Sequence, residues 1–190
     1  MRELQKIYLQ KIGCLDASIL STLRKNLEKT YEEFALSFEI FQDELPLSEA
    51  EYNSKRRQYK SKLIFQKLIN HLKYKKYFRT LGVMDKDVYS QDLNFVFGAA
   101  FMHTSIHKLA FISVTRLAES FYSRPENTEL FKLRVLKEAI HELGHTFGLN
   151  HCNNLCVMRF SNNLLDTDRK PANYCEKCFV KLKSYLNTPY

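Results

Sequence analysis

The 190-residue sequence predicts one compact α/β domain, and three observations carry that expectation. A hydrophobic content of 45% is ample for a packed core. Strand-like and helix-like patterns alternate early in the chain, and a long helical segment ending at Gly148 is followed by a short cysteine-rich remainder.

Residues 6–12 alternate apolar and polar side chains, as a first strand does. Asp16 or Ser18 is placed to cap a helix whose Ile19, Leu20, Leu23 and Leu27 recur at helical spacing. Phe34, Leu36, Phe38 and Ile40 then occupy alternate positions of a second strand, which runs toward Leu45 and stops near Pro46. A charged connector leads to a long helix over residues 55–74. After Gly82, residues 94–102 and 109–117 are rich in Phe, Val and Ile and read as an adjacent strand pair around the polar stretch 103–108. A helix over residues 128–147 follows, opened by the Arg124, Pro125, Glu126, Asn127 turn and closed at Gly148; the rest is irregular. There is no internal repeat and no low-complexity tract.

Composition narrows the function classes. The net charge of +8 comes from 29 basic and 21 acidic residues, which raises the question of a nucleic-acid partner. The lysines are scattered, however, and the densest run, residues 73–79, ends a predicted helix, where cations complement the helix dipole. No nucleic-acid partner is expected. No continuous apolar stretch approaches the roughly 18 residues of a membrane span, and the first residues mix charge into apolar positions, so neither membrane insertion nor secretion is expected. Five cysteines, an odd number, point to a reducing compartment in which clustered thiols bind metal, and the expected location is cytoplasmic.

The chemistry is concentrated in the run from His141 to His151, which reads H-E-x-x-H-x-x-G-x-x-H. Residues four apart stack on one face of a helix, so His141 and His145 present two imidazole nitrogens to one zinc ion. Gly148 is suited to a left-handed conformation that ends the helix and turns the chain, bringing His151 back as third ligand. Glu142, about 100° around the helix from His141, flanks the metal as a general base. Three neutral ligands leave the ion its full charge, which lowers the pKa of bound water toward about 7. Five fixed positions coincide here, a match expected by accident in well under about one chain in a thousand. His71, His103 and His107 receive no role, because no helical pattern surrounds the last two despite their spacing.

The cysteines after the third histidine, Cys152, Cys156, Cys175 and Cys178, resemble those of the archaemetzincins, a metzincin family with two zincs. The similarity extends through Arg57-Gln58-Tyr59, Leu81-Gly82-Val83, residues 94–99, 113–117 and 134–148, so it covers nearly the whole chain. The resemblance implies a metzincin-like zincin domain. Its mixed twisted sheet and active-site helix would lie in residues 1–150, and a small irregular to helical C-terminal subdomain, residues 151–190, would hold the second metal. It further implies that Met158 is the Met-turn methionine, packed beneath the catalytic histidines. Three residues separate Cys152 from Cys156, one fewer than the family usually has, yet spacings of two to four remain normal for structural zinc. The expected cofactor is therefore Zn2+, two per chain. Arg159, Arg169, Lys170, Lys177 and Lys181 are near in sequence to offset the charge of four thiolates. Phe160 stands where related metzincins place a metal-binding tyrosine, so no tyrosine switch is expected. Cys14 has no local companion and is expected to be a buried structural thiol.

The expected partner is a peptide or small-protein substrate, and a monomer is expected. An exposed strand edge near Asn94 or Leu109 would pair with extended substrate backbone. Phe95, Phe97, Phe101, Phe111 and Ile112 suit either an apolar pocket or, more simply, the core. The competing reading is a zinc-stabilised binding or adaptor protein with little catalysis.

Overall fold

The computed structural model describes residues 4–101 and 108–188. The chain opens with β1 (Gln5–Ile12), α1 (Ala17–Thr30) and β2 (Leu36–Ile40). Asp16 caps α1 by accepting the Ser18 N–H at 2.8 Å. Two short strands, β3 (Tyr52–Asn53) and β4 (Gln58–Lys60), precede α2 (Ser61–Leu72). Next come β5 (Arg79–Met84), β6 (Val88–Tyr89), β7 (Gly98–Ala100) and β8 (Leu109–Ser113). The long helix α3 (Thr128–Thr146) is followed by α4 (Leu164–Arg169) and α5 (Glu176–Asn187). Among the described residues, no helix is long and apolar enough to cross a membrane.

The main sheet has the order β2-β1-β5-β8-β7, with the first four strands parallel and β7 antiparallel at the edge. Strands β3, β4 and β6 form a small second sheet. The alternation of side chains across the pleat divides the core. Leu81, Val83, Ala110 and Ile112 meet α1 and α3 through Leu20, Leu23, Leu27, Val135, Ala139 and Ile140. Met84, Leu109 and Phe111 point to the opposite face, against Ile64, Phe65, Leu68 and Leu72 of α2.

Several expectations need correction. The helix placed over residues 55–74 is two elements, because Gln58–Lys60 pairs with β3 and β6 before the helix starts at Ser61. The central strand β5 has no place in the sequence reading: with all six residues buried it shows no alternation, and Gly82 and Arg79 dilute its apolar character. Among its described residues, the segment 94–102 contributes only Gly98–Ala100 as strand, and 109–117 becomes a strand followed by a turn of 3-10 helix at Thr115–Leu117. The cysteine-rich remainder carries two helices. Cys14 is exposed, because Gly13 at φ +69° turns the chain outward after β1 and it is Leu15 that is buried. His103 and His107 lie outside the described residues.

Helix α3 is fixed along its length. Asn127 caps it, accepting the Leu130 N–H at 3.0 Å. Arg134, 1% exposed, reaches Asp168 at 2.6 and 2.8 Å, Glu119 at 2.7 Å and the Leu117 carbonyl at 2.9 Å. Lys137 donates to the Thr167 and Asp168 carbonyls, at 3.1 and 2.9 Å, near the C-terminal end of α4. Removing one member of a buried charge network strands the others, so Arg134→Met is expected to cost about 3 kcal/mol, read as a lower urea midpoint at unchanged slope.

Candidate metal centre

Helix α3 delivers His141, Glu142 and His145 to one side of a cleft of about 380 Å³. Edge strand β7, the Asn94–Phe97 segment before it, and Phe160, Ser161 and Asn162 form the other walls. The helix stops because Phe147 leaves helical geometry and Gly148 adopts φ +81°. A Cβ there would meet no neighbour within 4 Å, so it is the backbone conformation, not crowding, that calls for glycine. The turn brings His151 back, with ring centroids 5.3 Å from His141 and 4.8 Å from His145.

The nitrogens that converge are defined by what the opposite ring atoms do. His141 Nδ1 lies 2.9 Å from the Val157 carbonyl and His145 Nδ1 lies 2.7 Å from the Leu149 carbonyl. A carbonyl only accepts, so each Nδ1 carries the proton and each Nε2 keeps its lone pair. Those Nε2 atoms are 3.1 Å apart, and one ligand atom from each histidine lies within 4.8 Å of the others. Two nitrogens bound tetrahedrally at about 2.0–2.1 Å to one zinc would be about 3.3 Å apart. Burial depresses the basicity of all three rings, His141 well below the usual imidazole value and His145 to about 4, which favours the neutral form that can ligate. The donor set, its spacing and its protonation all fit the ion.

Glu142 is buried, and its Oε2 has no hydrogen-bond partner among the described residues. Burial first, then the Glu138 carboxylate, push its carboxyl well above the usual carboxylate range, while the Lys170 ammonium pulls it back. Space for it depends on β7, since a Cβ on Gly98 would be 2.7 Å from Glu142 Cγ and Oε1 and 2.8 Å from the Phe111 carbonyl. Gly98→Ala is therefore expected to displace the carboxylate and lower kcat/KM about 100-fold at unchanged zinc content, a loss typical of a misplaced reacting group.

Beneath the helix, Met158 is fully buried and packs so closely on Gly144 that a Cβ there would collide with its Sδ. Tyr174 donates to the Ile140 carbonyl at 3.0 Å and shares a 2.6 Å hydrogen bond with Tyr31. Cys152, Cys156, Cys175 and Cys178 gather with their sulfurs within 4.8 Å of one another. The Cys152 to Cys175 sulfur distance of 3.8 Å is far too long for a disulfide and equals the separation of about 3.8 Å expected for thiolates 2.3 Å from one zinc. Burial raises the Cys156 thiol, whereas hydrogen bonds from the Cys178 backbone, Asn154 and the neighbouring thiols overcome burial at Cys175 and lower it to about 6. Lys170, one of the basic residues placed near this cluster by sequence, is instead buried against Glu138, with Nζ 2.9 Å from Oε1. Arg159, Arg169, Lys177 and Lys181 are exposed.

Both predicted ligand sets are thus assembled. Glu138, Gly98, Gly144 and Tyr174 were given no role individually from sequence, and Lys170 was given a different one; which residues meet is a tertiary fact.

The profile of peptidase family M54 matches residues 5–184. The chain belongs to that family. Among M54 relatives, the archaemetzincin of Pyrococcus furiosus is 39% identical over 187 residues, covering 97% of this chain and 95% of the relative. The crystal structure of archaemetzincin from Archaeoglobus fulgidus, complexed with malonate, superposes with a TM-score of 0.75 at 37% identity, covering 93% of this chain and 99% of that one. A zinc-dependent peptidase from Methanocorpusculum labreanum superposes with a TM-score of 0.79 at 27% identity over the same shares. The metzincin-like fold expected from the resemblance agrees with the archaemetzincin crystal structure.

Proposed function

We propose that this M54 peptidase is zinc-dependent, with the catalytic ion on His141, His145 and His151, a structural zinc on the four cysteines, and Glu142 as general base. The observation that carries this reading is the meeting of three histidine nitrogens beside a buried carboxylate oxygen that no described residue satisfies. When bound, the ion supplies Lewis acidity toward a peptide carbonyl and an attacking water. Glu142 accepts the proton of that water and returns it to the departing amine, so no covalent enzyme intermediate is needed. Met158 serves as the apolar floor of the site.

The substrate backbone pairs with β7. Phe97 and Phe101 bond to β8 through the Ser113 N–H and the Leu109 carbonyl, so alternation turns the N–H and C=O of Gly98 and Ala100 toward the free edge. Phe111 and Ile112 are fully buried and belong to the core, while Phe95 and Phe97 line the cleft.

The deciding experiment compares wild type and Glu142→Ala on a broad peptide library, with zinc measured in both. Cleavage lost at equal zinc supports the peptidase; a wild type that binds two zincs and cleaves nothing supports an adaptor.

A further inference from the structure

The cleft has a second polar wall that the hydrolytic chemistry does not use. Glu138 lies one helical turn before Glu142 on the same face of α3 and lines the cleft, although its side chain is almost wholly buried. Its Oε1 is fixed from behind. Thr167 Oγ1 donates to it at 3.0 Å, and the buried Lys170 ammonium pairs with it at 2.9 Å. Both of these contacts are made through Oε1. Ser161 Oγ, on another wall of the cleft, is buried with no hydrogen-bond partner among the described residues, and Asn162 lines the cleft beside it.

A buried hydroxyl left unmatched, as that of Ser161 is, costs free energy unless a ligand satisfies it. We infer that Glu138, Ser161 and Asn162 form a specificity subsite for an uncharged hydrogen-bonding side chain of the substrate, that of Ser, Thr, Asn or Gln, near the scissile bond. The inference rests on the peptidase reading. Charge selects against the alternatives. Lys170 already neutralises Glu138, so a lysine or arginine side chain would gain little there and would face the catalytic cation. A carboxylate would set its oxygens against Glu138 Oε2, acceptor to acceptor. An apolar side chain would leave the buried Ser161 hydroxyl unpaired, which is how a hydrogen-bonding pocket rejects an isostere.

The test reads binding, so that it stands apart from turnover. Zinc-loaded Glu142→Ala protein is equilibrated with a positional library of acetylated, amidated octapeptides, and the retained peptides are sequenced. Ser, Thr, Asn and Gln should be enriched about tenfold over Ala, Lys and Glu at one position. In the same background, Glu138→Gln replaces an acceptor by an amide that also donates, so it should lose most of that preference and admit Asp or Glu. Ser161→Ala, which leaves the Glu138 and Lys170 pair intact, should weaken the preference severalfold; zinc content and circular dichroism verify that each variant is folded. Apolar or basic enrichment, no enrichment, or a preference unchanged in Ser161→Ala overturns the subsite. Failure of the peptidase reading shows separately, as no cleavage of any library member by the enzyme with Glu142 intact.

Discussion

Replacing Glu142 with alanine is expected to lower kcat/KM for peptide cleavage by about 10²–10⁴-fold, the range that a positioned general base contributes. Zinc content should not change, because the carboxylate is not among the groups that converge with the histidines. The carboxylate is held by packing: Gly98 lies against its Cγ and Oε1, and the side chain is buried. Such a site has little room to recruit a replacement base from solvent. Glu142→Gln should lose as much, since the amide keeps the shape but does not take a proton at neutral pH. Retention of more than a tenth of wild-type activity in Glu142→Ala would remove Glu142 from the chemistry. Equal loss of zinc and activity would instead make it a structural support of the metal.

Replacing Cys178 with serine is expected to disturb both proposed metal sites, although the cysteines are not among the proposed ligands of the catalytic ion. The link is the short chain between the sites. Cys152 follows His151 directly, and its N–H donates to the Met158 carbonyl at 3.0 Å. Cys156 precedes Val157, whose carbonyl accepts from His141 Nδ1, and its own sulfur accepts the Cys175 N–H at 3.2 Å. Loosening the four-sulfur cluster therefore frees a ligand, the acceptor that orients another, and the methionine floor together. Loss of such supporting contacts typically costs 10–100-fold in metal affinity. Zinc release to a chromophoric chelator should show two slow phases in wild type. In Cys178→Ser one phase should vanish and the other accelerate about 10–100-fold. A fall in Tm of about 10 °C should accompany it, since each kcal/mol moves the Tm of a chain this size by about 2–4 °C. An unchanged release rate from the histidine site would show the two sites to be independent.

The parts legible in the sequence are those in which local rules coincide with the tertiary result. Helix α3 was expected over residues 128–147 and runs Thr128–Thr146, because its cap at Asn127, its apolar spacing and its stop at Gly148 are all written in neighbouring residues. The H-E-x-x-H-x-x-G-x-x-H run is legible for the same reason. Helix periodicity places two histidines on one face, and one glycine permits the turn to the third. Strand β5 shows the opposite case. It lies at the centre of the sheet between β1 and β8, with helices on both faces, so nothing in its own pattern marks an inside and an outside. Residues 58–60 likewise look helical by themselves and become a strand only because β3 and β6 pair with them.

By itself, then, the sequence determined the candidate ligand residues, the carboxylate beside them, the helix that spaces them and the four sulfurs that follow. Those depend on covalent spacing and on torsional preferences a few residues long. Only the tertiary structure decided that Gly98 of an edge strand makes room for Glu142, that Lys170 is committed to Glu138 instead of the cysteines, and that β7 offers the free edge. Such pairings join residues dozens of positions apart. Their free energy comes from burial and charge partnership between elements, and no local pattern encodes which distant side chain will be the partner.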